Sequence, residues 1–220
     1  MEITPQRWQY LCDYSREVFG QQDEQLVGLM AEAVKEGLPD IAISADVGRL
    51  LMILTSLTAG RLAIEVGTLA GYSGIWIARG LASAGRLITI EKEPSHAAFA
   101  RRQFERAGVA GRVEVRCGDG IAELTHLAGE LAPRSVDVVF LDAEKVEYPD
   151  YWRIAKPLIA VGGLILSDNV YSTGSWWIDD VGEAERDAAD AFNRLVAGDE
   201  DFEAVAVPLR QGVMVGRRFR

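Results

Sequence analysis

The chain has 220 residues, 49% of them hydrophobic and 25% charged, with a net charge of −10; it is long enough to bury a sizeable core, and its composition excludes a disordered or collagen-like chain. Arg217, Arg218 and Arg220 make the one short basic cluster, so the acidic balance argues against nucleic acid as a partner. Two cysteines without metal or redox spacing, a charged start (MEITPQRWQY) without the apolar core of a signal peptide, and no apolar run near the ~20 residues of a membrane span point to a cytoplasmic protein with no membrane partner.

Three helical patterns come first. Thr4 supplies a cap and Pro5 a first turn for residues 5–19; Asp23 opens a second pattern that runs to Lys35 and stops at Gly37 and Pro39; a third starts after Ser44 or Asp46 and ends at Gly60. The rhythm then changes to short apolar runs alternating with longer helical ones. LAIEV (62–66) precedes a helix over 71–83, LITIE (87–91) one over 94–107, and VEVRC (113–117) one over 120–131. VDVVFL (136–141) precedes a helix over 148–159; GLILS (163–167), after a glycine turn, precedes a loop and a helix over 182–196. FEAVAV (202–207), a turn over 208–212 and VMVGRRF (213–219) predict a closing antiparallel hairpin. The alternation predicts right-handed βαβ units and a Rossmann-like, mostly parallel sheet with helices on both faces. This makes one α/β domain over residues 1–220, whose first 60 residues are a helical extension.

Ligands of open α/β sheets sit beyond the carboxyl ends of the strands, so the strand tips belong together. The first, EVGTLAGYSG (65–74), is a strand, a glycine turn and a helix start, where backbone N–H groups are free and Gly67 lets a ligand approach; without a ligand it is a tight strand–helix turn. Glu91 at the second tip can accept the hydroxyls of a ribose, or be a solvated acid in a charged turn. Asp119, in CGDG, can accept from an adenine amino group or cap the next helix. The first two tips together imply a nucleoside-containing ligand.

Two further tips carry a different chemistry. FLDAEK delivers Asp142 and Lys145, and ILSDN delivers Asp168 and Asn169. On adjacent strands, two carboxylates and an amide oxygen make an all-oxygen donor set suited to Mg²⁺, Mn²⁺ or Ca²⁺ rather than zinc; the plainer alternative is an aspartate capping the next loop. Lys145 can lean over the same place, where a cation would depress its pKa and let it act as a general base. Tyr171, Trp176 and Trp177 follow in a loop, where aromatics can clamp a flat substrate or pack on another subunit.

AIEVGTLAGYSG, LITIEKEP, VFLDAEKVEYPDYW and GGLILSDN, in this order, resemble the metal-dependent O-methyltransferases of the catechol and caffeoyl-coenzyme-A type, over roughly residue 41 to the C-terminus; SADVGRLLMIL (44–54) is similar to the segment preceding their first strand. The resemblance implies a seven-stranded sheet with one antiparallel strand and S-adenosylmethionine as methyl donor. It implies cofactor contacts at Glu65, Gly67, Ser73, Glu91, Asp119 and Asp142, with Ile41 and Ile43 from the N-terminal extension. It implies a metal at Asp142, Asp168 and Asn169, Lys145 as base, an aromatic vicinal diol as acceptor, and a homodimer. Where the family usually reads D-A-D-K this chain has Asp142-Ala143-Glu144-Lys145, and where it often has Leu-Trp after the Asp-Asn pair this chain has Val170-Tyr171; the second change falls on the acceptor side. A nicotinamide-dependent oxidoreductase would share the first two tips, but G-x-G-x-x-G is absent and the DAEK and DN tips would go unexplained. A non-catalytic nucleoside-binding module on the same fold is the third reading.

Overall fold

The computed structural model describes residues 4–171 and 184–220. Three helices precede the sheet: α1 (Pro5–Phe19), α2 (Glu24–Lys35) and α3 (Ala45–Ser56). The Thr4 side chain accepts the Arg7 N–H at the start of α1, and Asp23 accepts the Leu26 N–H at the start of α2, satisfying donors that a helix leaves orphaned. Strands and helices then alternate: β1 (Leu62–Val66), α4 (Tyr72–Gly80), β2 (Arg86–Glu91), α5 (Pro94–Arg106), β3 (Val113–Cys117), α6 (Gly120–Glu130), β4 (Val136–Leu141), α7 (Tyr148–Ala155), β5 (Ile159–Ser167), α8 (Ala184–Ala197), β6 (Phe202–Val207) and β7 (Val213–Arg218).

The seven strands form one sheet in the order β3-β2-β1-β4-β5-β7-β6. The first five run parallel, and β7 is antiparallel to both β5 and β6. This is the seven-stranded, Rossmann-like sheet with one reversed strand that the resemblance implied. Period-two alternation divides the core between the two faces. Ala63 of β1 with Val138 and Phe140 of β4 pack under α2, α3, α4 and α5. Leu62, Ile64 and Val66 with Val139 and Leu141 face α6, α7 and α8. Burying a valine, leucine, isoleucine or phenylalanine side chain of this set contributes roughly 1.5–3 kcal/mol. Trp76 and Trp152 are core residues.

Three element boundaries differ from the sequence pattern. β5 starts at Ile159 rather than at the glycine pair. Gly162, at φ +84°, bends the strand inside its length, where the pairing register with β4 shifts, so the pair makes a bulge and not a turn. The helix expected over 148–159 ends as α7 at Ala155 and continues as one 3₁₀ turn, Lys156–Leu158; Pro157 has no N–H to donate to the carbonyl four residues back, so the α-helical ladder stops there. α3 stops at Ser56, four residues before Gly60. Among the described residues no helix is long and apolar enough to cross a membrane.

Candidate active site

The tips of β2, β1, β4 and β5 are tied into one floor. Gly67 donates its N–H to the Ile90 carbonyl (3.0 Å), Asp142 to Val66 (2.9 Å) and Asp168 to Leu141 (3.1 Å). Gly67 has φ +101°, and a Cβ there would overlap the Asp142 carbonyl, so glycine is what lets the β1 and β4 tips close on each other. The buried Tyr148 hydroxyl lies 3.0 Å from the Leu141 carbonyl and 3.1 Å from the Asp168 carbonyl, bridging the β4 and β5 tips. Asn169 then turns the chain at φ +57°, a left-handed conformation that asparagine tolerates better than most residues.

This floor opens into a cavity of about 650 Å³, within the range of small-molecule sites. Ile41 and Ile43, from the segment before α3, form part of one wall; Gly67, Ser73, Glu91 and Asp119 line the cavity from the β1, β2 and β3 side. Both Glu91 oxygens already accept backbone N–H groups, Oε2 from Leu69 (2.7 Å) and Oε1 from Glu93 (2.9 Å), and each keeps a further lone pair. Asp119 caps α6 by accepting the Ala122 N–H at 2.9 Å. Glu65, for which the resemblance implied a cofactor contact, does not line the cavity. It is 0% exposed and lies beneath the lining, its carboxyl accepting the Ser73 and Thr89 hydroxyls at 2.6 Å each. Burial pushes its pKa up to about 7, the two hydroxyls pull it back, and Asp142 and Glu91 push it further up.

The β4 and β5 tips do lie side by side. Asp142, Lys145 and Asn169 line the cavity. The Lys145 ammonium is 2.8 Å from Asp142 Oδ1. Burial alone would lower its pKa, but Asp142 and Tyr148 outweigh burial and hold it above the ordinary lysine value; the depression anticipated from the sequence assumed a cation beside it. Asp168 is 1% exposed and does not itself reach the cavity surface. Burial and the Asp142 charge raise its carboxyl to about 6. Its Oδ1 is buried with no hydrogen-bond partner. Asn169 donates through Nδ2 to the Gln211 Oε1 at 3.2 Å, leaving its amide oxygen as an acceptor. Among the described residues no three His, Cys, Asp or Glu side chains converge as a metal site; the candidate set is two carboxylates and one amide. Tyr171 packs its ring against Gly212, and Trp176 and Trp177 lie outside the described residues.

Among the lining residues that the sequence reading gave no role are Arg210, Gln211 and His96. Arg210 and Gln211, in the β6–β7 turn, reach Asp168 and Asn169. His96 stands with Nδ1 3.6 Å from Glu91 Oε1. Arg210 and Gln211 sit over forty positions from their partners, and the turn signal around them says where the chain reverses, not what it faces. Pro94 placed His96 at the start of a helix, one turn beyond the tip acid, and that adjacency was the available signal.

The family model described as O-methyltransferase matches residues 16–219. A catechol O-methyltransferase from Niastella koreensis is 35% identical, over 89% of this chain and 88% of its own length. The O-methyltransferase from Bacillus cereus, solved in complex with SAH, superposes with a TM-score of 0.86 at 30% identity, covering 97% of this chain and 99% of that one. The O-methyltransferase TomG from Streptomyces achromogenes, involved in tomaymycin synthesis and solved with SAM, gives 0.86 at 32% identity over 100% of both chains. With the match running through every strand of the sheet, the protein belongs to the O-methyltransferase family.

Proposed function

We propose that the protein transfers a methyl group from S-adenosylmethionine to one hydroxyl of an aromatic vicinal diol, with a divalent cation, Mg²⁺ or else Mn²⁺ or Ca²⁺, held by Asp142, Asp168 and Asn169. The observation that carries this reading is the juxtaposition of those three residues with Lys145 at neighbouring strand tips below the cavity. Family membership supports methyl transfer to oxygen, the two solved relatives carry SAH or SAM, and one relative is named for catechol. The nicotinamide reading finds no such support.

The residues fit both absent groups. A buried carboxylate oxygen without a partner, Asp168 Oδ1, is costly to leave so, and a hard cation is the ligand that oxygen donors of this kind satisfy. On the other side, the unobstructed Gly67 turn and the Glu91 lone pairs suit a nucleoside. Gly67, Glu91 and Asp119 would hold it, Ile41 and Ile43 would cover it, and Glu65 would act through Ser73 rather than by touching it. Once bound, the cation supplies positive charge that lowers the pKa of a hydroxyl at its side, and the cofactor supplies a methyl on a sulfonium leaving group.

The chain's own residues orient and deprotonate. Asp142 fixes the Lys145 amine in the cavity, and Lys145 is the proposed proton acceptor on position: it is the lysine at the floor, beside the proposed cation site. Holding donor and acceptor in one cavity converts an encounter into an intramolecular step, from which much of the rate follows.

The test is transfer of a labelled methyl from S-adenosylmethionine to caffeic acid, with Mg²⁺ and with EDTA, by the wild type and by Asp168→Ala. Transfer that EDTA and the substitution each abolish, with cofactor binding retained, is the expected result. Full activity of Asp168→Ala in EDTA would overturn the metal role. Cofactor binding without transfer to any diol would overturn the acceptor class.

A further inference from the structure

Arg210 is in an unusual position for an arginine. Its backbone sits at φ +49°, a left-handed conformation that a glycine would adopt without strain. The turn that imposes it is fastened on both sides: Gly212 donates to the Leu209 carbonyl (2.8 Å), while Val170 and Tyr171 donate to Gly212 and Gln211 (3.1 and 2.8 Å). The result is a guanidinium placed directly over the β5 tip. Its Nη1 lies 3.2 Å from Asp168 Oδ2 and 3.3 Å from the Ala42 carbonyl. Arg210 lines the cavity and Asp168 does not, so the guanidinium stands between that carboxylate and the space above it.

Each floor acid is thus already matched by one tethered cation, Asp142 by Lys145 and Asp168 by Arg210. A divalent ion added to this arrangement meets two positive groups at ion-pair distance from its own ligands, in a buried place where like charges repel strongly. We propose that Arg210 is a built-in competitor for the divalent ion: it occupies Asp168 beforehand, and loading the ion requires the guanidinium to leave both Asp168 and the Ala42 carbonyl. Metal affinity is thereby set low by the protein's own cation, and metal loading frees the wall segment that carries Ile41 and Ile43. This inference rests on the proposed metal role of Asp168.

The experiment is titration of the full chain with Mn²⁺, reading free Mn²⁺ by electron paramagnetic resonance, for the wild type, Arg210→Gln, Arg210→Gly and Asp168→Asn; melting curves check folding. The glycine variant also relieves the positive φ, so at least one arginine replacement retains the fold. Removing an adjacent like charge should tighten Mn²⁺ binding about tenfold or more in both arginine variants, and Asp168→Asn should lose it. In the unmodified protein, Mg²⁺ should speed hydrogen exchange over residues 39–43 and leave β1 unchanged. Binding by the wild type that Asp168→Asn abolishes, but that neither arginine variant tightens, overturns the competitor role while leaving the metal reading intact. Unchanged or slower exchange over residues 39–43 with Mg²⁺ overturns the release of the wall. No Mn²⁺ binding by any of the four proteins overturns the metal reading and this inference with it.

Discussion

Replacing Glu65 by glutamine should remove a pH dependence of stability that the wild type carries. The Glu65 carboxyl is fully buried, and its pKa is raised from 4.5 to about 7, chiefly by burial, against the pull of Ser73 and Thr89. An acid whose pKa is raised by folding binds its proton more tightly in the native state. Between pH 4.5 and 7 the unfolded chain has released that proton and the folded chain has kept it. Stability from this group is therefore greatest below pH 4.5 and falls as pH rises to about 7, by about 3 kcal/mol in all. Glutamine keeps the shape and an oxygen for one hydroxyl but cannot ionise. Urea unfolding at pH 5, 6, 7 and 8 should show the wild type losing stability relative to Glu65→Gln across the window, with the difference levelling off above pH 7. Other titrating groups are common to both proteins and cancel in the difference. If the two profiles run parallel from pH 5 to 8, the carboxyl is not raised and the burial argument is wrong.

Two further substitutions test how the floor is held together. Gly67→Ala places a Cβ against the Asp142 carbonyl at φ +101°; it should cost more than ~1 kcal/mol in thermal or urea unfolding and weaken S-adenosylhomocysteine binding measured by calorimetry. Tyr148→Phe removes the hydroxyl shared by the Leu141 and Asp168 carbonyls; a loss of about 1–2 kcal/mol is expected, and hydrogen exchange should rise at the Asp168 amide while β1 stays protected.

What the sequence made legible follows from periodicity. β1 to β4 were readable because their apolar runs are short and bounded by polar turns, and the pairing of Asp142 with Asp168–Asn169 followed from placing consecutive parallel strands side by side. What escaped was set by side-chain direction and by distance along the chain. Position 65 belongs to the face beneath α4, so Glu65 points at Ser73 and not into the cavity; its location in the first tip could not say which. Arg210 crosses from a hairpin turn to a carboxylate 42 residues earlier and a carbonyl 168 residues earlier, contacts no local pattern encodes. The Gly162–Gly163 pair looked like a turn because glycine pairs usually are, and only the register of β4 against β5 distinguishes a bulge from one.

The reversed strand has a consequence for how the molecule is made. β7 comes after every other strand in the sequence, yet it lies between β5 and β6. As a ribosome delivers the chain, β5 emerges with Leu164, Ile165 and Leu166 and a row of unpaired backbone groups along one side, and it waits some fifty residues for the strand that will cover it. An open apolar border of this kind templates association with other chains. The opposite border, β3, carries Glu114 and Arg116, the latter paired with Glu130, and needs no such cover. Release of a chain shortened before residue 213 would leave the β5 border open permanently, so such products should aggregate rather than persist as smaller, inactive enzymes.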